Sequence, residues 1–233
     1  SIENIIEKRF YTDFNINLNI NGDIKYQLLP KPHLLISNSS LSIDKDSKES
    51  MSIDIDQLKV YLNSNNLYPK TKLNFEKLEI KQNNFLLKEK EYRILRNFFH
   101  TSEGKPIHIK KSKIFLLDDQ NETLIISPLE KMVFSTSETD NFKKININGN
   151  IFDLDFKSRW KKEFNSKFES QIEIDLRDPN IFIKNILNYD NSTELQGSSI
   201  FKFLNHIIEM NYQLKNNMIY IKSPANNNNI KIE

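Results

Sequence analysis

Apolar and polar residues alternate along most of this chain. Phe14, Ile16, Leu18 and Ile20 are separated by Asn15, Asn17 and Asn19. Gly22-Asp23 interrupts the run, Ile24, Tyr26 and Leu28 resume it, and Leu29-Pro30-Lys31-Pro32 leads into Leu34 and Ile36. A period of two puts alternate side chains on opposite faces, so each segment reads as a strand with one dry and one wet face. Strands are predicted over about 14–20, 24–29 and 33–43, followed by a polar loop from Asp44 to Ser50.

The next strand carries Met51, Ile53 and Ile55, then Leu58, Val60 and Leu62. The change of parity near Asp56-Gln57 predicts a bulge or break, and the change between Leu73-Phe75 and Leu78-Ile80 predicts another. Turns are expected from Asn63 to Lys70 and at Asn83-Asn84. Strands resume at Ile107-Ile109, Ile114-Leu116, Leu124-Ile126 and Met132-Phe134, with Pro128 separating the last two. Ile145, Ile147, Gly149 and Ile151 alternate, and Phe152, Leu154, Phe156, Ser158, Trp160, Lys162 and Phe164 continue with shifted parity. Phe156, Trp160, Phe164 and Phe168 are also four apart, which suits a helix face. The strand reading of 152–168 is preferred because β-type segments flank it.

Ile172, Ile174 and Leu176 form a strand ending at Arg177-Asp178-Pro179, and 193–232 reads as a meander with turns at Asn216-Asn217 and Asn226 to Asn229. Two stretches have helical spacing instead: about 2–12, with Ile2, Ile5, Ile6 and Phe10 on one side, and 88–100, with Leu95, Phe98 and Phe99, stopped by Gly104-Lys105-Pro106. The predicted fold class is mostly β: an extended, curved antiparallel sheet forming an apolar groove, with one or two short amphipathic helices. It is read as a single β-rich segment over 1–233, in which 1–104 holds both helices and 105–233 continues the strands.

Composition narrows the function. Hydrophobic residues make up 38% of 233, low for a thick core, yet their spacing is too regular for disorder. This combination suits a thin, half-wet sheet. The net charge of +2 gives no general attraction for polyanions, and nucleic acid is not an expected partner. Lys110-Lys111, Lys143-Lys144 and Lys161-Lys162 read as solvated strand faces. The absence of cysteine excludes thiol nucleophiles, Cys-based zinc sites and disulfides. No run of about 18 apolar residues is present. The chain starts at Ser1 and ends on the strand-like Ile230-Lys231-Ile232-Glu233, so it is expected to be part of a longer protein.

Catalytic chemistry finds little support. His33, His100, His108 and His206 have no partner at ligand spacing, and His33, after Pro32, reads as solvated or backbone-bonded. Asp118-Asp119 are adjacent and would point to opposite faces of a strand, so they read as a turn. With Gly22, Gly104, Gly149 and Gly197 the only glycines, no phosphate-cradling loop can be assembled. No enzyme activity, cofactor or metal is expected.

Several of these segments resemble the AsmA family of bacterial envelope proteins. The resemblance rests on the amphipathic helix, the short strand and turn at Asn21-Gly22-Asp23, and the aromatic-x-Leu-x-Pro element in Tyr26-Gln27-Leu28-Leu29-Pro30. It extends over Ile55 to Ile80, where Leu67-Tyr68-Pro69-Lys70 replaces the usual Leu-Leu-x-Gly turn. It also covers Lys105-Pro106-Ile107-His108-Ile109 and Ser112-Lys113-Ile114-Phe115-Leu116-Leu117-Asp118. What it implies is an inner-membrane anchor outside this chain, a periplasmic body, and a β-groove that binds or conducts phospholipid or another acyl lipid in outer-membrane biogenesis and lipid homeostasis, as in AsmA/TamB-like bridge proteins. The residues expected to line the groove are Ile16, Leu18, Ile20, Tyr26, Leu28, Ile36, Ile53, Ile55, Leu73 and Phe75. The competing expectation is a structural or adhesive β-module with a closed core and no ligand.

Overall fold

The computed structural model describes residues 2–43, 50–63, 73–137, 141–163, 169–189, 195–215, 218–223 and 229–232. The protein is mostly β, and the chain divides into two compact units, Ser1–Thr136 and Ser137–Glu233. The expected division at 104/105 falls inside unit 1. The loop and turn expected at 44–50 and 63–70, the Leu67-Tyr68-Pro69-Lys70 element, Phe164, Phe168 and Asn216-Asn217 lie wholly or largely outside the described residues.

Unit 1 contains α1 (Ile2–Phe14), β1 (Asn17–Ile20), β2 (Ile24–Gln27), β3 (His33–Ile43), β4 (Met51–Leu62), β5 (Phe75–Lys81), β6 (Asn84–Leu87), α2 (Glu89–Thr101), β7 (Ile107–Leu117) and β8 (Thr123–Ser137). The strands run in the order β1-β3-β4-β5-β7-β8, with β2 beside β3 and β6 beside β7. Most pairs are antiparallel. The exceptions are β5 and β6, which both pair with β7 in parallel. The all-antiparallel expectation fails there because α2 carries the chain back between β6 and β7, and a helical crossover is what parallel neighbours require.

Both helices form where expected, but their buried sides differ from the predicted stripes: Ile2 and Ile5 are exposed on α1, and in α2 Ile94 is buried while Leu95 and Phe99 are half-buried. Ile6, Phe10 and Phe14 are the buried apolar residues of α1. The helix ends at Asn15, whose φ of 56° is the left-handed conformation that asparagine accepts at a helix C-terminus, and its N–H donates to the Tyr11 carbonyl. In α2 the Glu91 carboxylate accepts from the Lys88 N–H at 2.7 Å, capping the first turn, while Ile94 and Phe98 are buried. The helix ends at Thr101, one residue past the expected end at 100.

Register explains the parity changes. Leu34–Val60–Leu78–Ile107–Phe134 and Ile36–Leu58–Ile80–Ile109–Met132 form two apolar rows across β3, β4, β5, β7 and β8. Beyond the second row the sheet is creased. Asn38, Gln82 and Lys111 all have φ near +50°. Pairing passes from Ser37↔Gln57 to Ser39↔Ile55, and from Lys110↔Lys131 to Ser112↔Leu129, so each partner skips one residue together. The change near Asp56 is therefore a shared kink that keeps register and returns apolar side chains to the same face. The second expected bulge is real: Glu76 is the extra residue between Tyr61↔Lys77 and Leu62↔Phe75. Strands predicted as separate fuse into β7 and β8, and Pro128 sits within β8 opposite Lys113.

Apolar side chains from both halves of the crease and from both helices seal this core. Phe10, Phe14 and Phe75 form one aromatic cluster, with ring centroids 4.7 to 6.4 Å apart, and Phe98, Phe99 and Phe134 form another.

The opposite face of unit 1 is charged. Glu79 is buried and accepts from Lys110 Nζ at 2.7 Å. Burial opposes its ionisation, but the Lys110 hydrogen bond and the charges of Lys110, Lys81 and Lys77 outweigh that and hold its carboxyl below the ordinary 4.5. Burial, reinforced by Lys77 and Lys110, pushes His108 below 6.5. Both groups take up protons more readily when unfolded, so both make stability rise with pH. Acidification is thus expected to lower the denaturant midpoint of unit 1, beginning as pH falls below the ordinary histidine value of 6.5 and continuing as it falls through the folded pKa of Glu79. Urea titrations at neutral and acidic pH check this, and Glu79→Gln should flatten the acid limb.

Unit 2 contains β9 (Phe142–Ile151), β10 (Leu154–Glu163), β11 (Glu169–Leu176), β12 (Ile181–Tyr189), β13 (Leu195–Phe203), β14 (His206–Lys215), β15 (Met218–Lys222) and β16 (Asn229–Ile232). It is an antiparallel meander in which each strand pairs with the next. Residues 154–163 are strand, as preferred over the helix. The parity shift at Phe152 has a different cause from a continuing strand. Phe152 and Asp153, at φ 51° and 62°, make a two-residue hairpin turn of the kind whose twist matches its flanking strands. A further turn at Leu204-Asn205, absent from the sequence reading, joins β13 to β14.

Candidate functional site: an uncovered apolar face

In unit 2 the registers gather most of the apolar residues onto one face. One row runs Ile147–Ser158–Ile174–Ile183–Phe201–Ile208 across β9 to β14. Its neighbours are Ile145–Trp160–Ile172–Asn185–Ser199–Met210 and Gly149–Phe156–Leu176–Ile181–Phe203–His206. A fourth row runs Ser170–Leu187–Gly197–Tyr212–Ile221 across β11 to β15. Tyr212 stands directly opposite Gly197 and reaches β12, where its hydroxyl donates to Asn185 Oδ1 at 2.6 Å.

Among the described residues of unit 2, no apolar side chain is fully buried; all the fully buried ones belong to unit 1. Ile208 is 48% exposed, and the rest of the described face is mostly half-buried. The reason is architectural. The described residues of unit 2 include no helix and no second layer to seat on the strands.

The other face is mixed: Phe182, Ile186, Ile200 and Ile207 stand there among charged and polar side chains. Arg159 pairs with Glu173 at 2.6 Å, and Lys184 lies 3.8 Å from the same carboxylate. Two concavities open mainly onto it. One, of about 870 Å³, is lined by residues including Asn188, Gln196, Asn211 and Tyr220. The other, of about 360 Å³, includes Lys157, Arg159 and Asp175. Lys143, expected on a solvated face, is buried and belongs to the apolar face, where the fourth row continues from Ser170 through Lys162 to Lys143.

The ten residues expected to line a groove lie elsewhere. Ile16, Leu18, Ile36, Ile55 and Phe75 are buried in unit 1. Ile20, Ile53 and Leu73 are half-buried, while Tyr26 and Leu28, at 52% and 59%, are exposed on or just past β2. The buried five are packed core and could meet a ligand only if unit 1 opened. Sequence reasoning chose the first alternating strands and missed 145–221, although the alternation there is equally regular. The distinguishing signal was available: both helical patterns, the only visible covers, end before residue 105.

His33 is buried, with Nδ1 2.8 Å from the Lys31 carbonyl. It is backbone-bonded, as one of the two readings had it. Asp118 Oδ1 accepts from the Gln120 and Glu122 N–H groups, the turn expected there. Among the described residues no three His, Cys, Asp or Glu side chains are placed to hold a metal, and no helix is long and apolar enough to cross a membrane. Comparisons with family models, curated proteins and solved structures find no match to this chain.

Proposed function

We propose that the chain acts as an AsmA-like segment of a periplasmic protein of the bacterial cell envelope, binding or conducting acyl lipid along the apolar face of unit 2 and contributing to outer-membrane biogenesis and lipid homeostasis. One observation carries this reading: contiguous rows of mainly apolar side chains on one face of unit 2, most of them only half-buried, over which the described residues of that unit place no helix or second layer. A large apolar surface left open on a protein marks an interaction site. Acyl chains fit a surface with few fixed polar groups, because their burial is non-directional and stabilises by about 0.8 kcal/mol per CH₂. Head groups would sit at the polar rim. Membrane attachment would come from an anchor outside this chain.

The alternative, a closed structural module, draws its support from unit 1, whose core is sealed. The two readings therefore assign different tasks to the two units: a rigid support and a lipid face.

Native mass spectrometry of the gently purified chain is expected to reveal bound lipid, and a fluorescent fatty acid should be taken up. Phe201→Asp and Ile183→Asp, facing cross-strand neighbours on the central row, should each reduce uptake at least tenfold. A chain that carries no lipid, takes up no fatty acid and leaves an apolar-surface dye dark would favour the closed module.

A further inference from the structure

The charge balance of the whole chain conceals a cluster that the topology of unit 1 creates. Lys81 of β5 is the register partner of Lys110 of β7, and Lys110 is in turn the partner of Lys131 of β8. Three lysines thus stand side by side across three strands that lie about 4.8 Å apart. The adjacent row on the same face is Lys59–Glu79–His108–Val133, and the next is His33–Tyr61–Lys77.

Five lysines therefore share one sheet face with one central carboxylate. Glu79 engages Lys110 at 2.7 Å and Lys81 at 3.7 Å, and the Lys77 ammonium stands 4.3 Å from the centre of the Tyr61 ring. Of the neighbouring carboxylates on these strands, Glu76 pairs with Lys31 at 3.5 Å, and Glu130 lies at the crease between Lys131 and Leu129. Like charges directly opposite in a sheet are destabilising. A single glutamate cannot neutralise three neighbouring ammonium groups. Such local conflict with stability is characteristic of functional surfaces.

We propose that this face is an anion site for a phosphate group, held by Lys81, Lys110 and Lys131, with Lys59 and Lys77 at its edge. Ammonium groups are donors without acceptors, and phosphate oxygens are acceptors that complete charge-assisted hydrogen bonds. The bound phosphate relieves the repulsion that the register imposes. The site lies in unit 1 and is independent of the apolar face of unit 2, so neither stands or falls with the other. The phosphate can be free in solution or part of a lipid head group.

The test uses the intact chain at low ionic strength, where such attractions are least screened. Inorganic phosphate is titrated while backbone amide resonances are followed, with chloride at matched ionic strength as control. Shifts are expected to concentrate on β5, β7 and β8, and Lys131→Gln and Lys81→Gln should each weaken binding at least fivefold. Lys222→Gln, in unit 2, should leave it unchanged. Lys110→Gln is avoided because it strips the buried Glu79 of its closest cation. In a second arm, vesicles of phosphatidylcholine with phosphatidic acid are sedimented with the chain. Co-sedimentation lost in the Lys131 and Lys81 variants identifies a lipid phosphate; phosphate binding without co-sedimentation identifies the free anion. A response equalled by chloride, affinity unchanged in both variants, or retention of RNA without any response to phosphate would overturn the proposal.

Discussion

Phe75→Ala is expected to destabilise unit 1 by about 3–5 kcal/mol, the range for deleting a fully buried aromatic ring. Phe75 is 1% exposed, and its ring lies 6.4 Å from Phe10 and 6.2 Å from Phe14, the two aromatic residues by which α1 seats on the sheet. Its backbone is committed too. The Phe75 N–H donates to Asp13 Oδ2 at 3.1 Å, and Lys105 Nζ donates to its carbonyl. Asp13 also accepts from Arg9 Nε at 2.9 Å and lies 3.3 Å from Lys105 Nζ. One residue thus joins the aromatic cluster to the polar clamp that closes the end of the helix. Phe75→Leu should recover much of the loss, since the cavity is smaller and the backbone bonds are kept. Hydrogen exchange of the β3, β4 and β5 amides, followed in urea, checks both variants. A midpoint unchanged in Phe75→Ala would mean that α1 is not seated on this cluster.

The strands were readable from alternation because each presents one dry face, and a period of two survives any topology. What alternation does not carry is which strands are covered. Ile36 and Ile183 sit in similar sequence patterns, yet Ile36 is wholly buried and Ile183 is partly exposed. The difference lies in α1, α2 and the crease; both helices are distant from Ile36 in sequence, and the crease, although it passes through Asn38, takes its other half from the end of β5 and from β7. The crease itself was visible only as a parity change. Its signature, left-handed residues aligned across β3 and β7, needs the register to be known, because Asn38 and Lys111 are distant in sequence. The same holds for the lysine face. Lys81, Lys110 and Lys131 look like scattered surface residues until the parallel β5–β7 pair places them in one row. That pair depends on a crossover, which local pattern does not encode. The Phe152-Asp153 turn was missed because neither residue is glycine or asparagine, the usual occupants of that conformation.

Gly197→Val should be the most disruptive single change in unit 2. A β-carbon on Gly197 would lie 2.3 Å from Tyr212 Cζ and 2.7 Å from the Ile186 carbonyl oxygen, both well inside contact distance. The Tyr212 ring can swing away, but the carbonyl belongs to the neighbouring strand and moves only with the β12–β13 ladder. Overpacking of this kind costs about 1–3 kcal/mol. Displacing the ring also removes the 2.6 Å hydrogen bond to Asn185, for about 1 kcal/mol more. Because no apolar side chain described in unit 2 is fully buried, this loss meets little reserve. Trp160 is the only tryptophan and lies in unit 2, so its fluorescence in urea reports the transition directly. Tyr212→Phe should lose only the hydrogen bond. In Gly197→Val/Tyr212→Ala the two losses should sum to less than their separate values, since the second substitution removes one of the two obstructions, as coupling between neighbours requires. Full additivity would mean that the ring does not lie across Gly197. If acyl lipid occupies this face, Gly197→Val should also weaken fatty-acid uptake, because the displaced ring is thrust into the space the chain would fill.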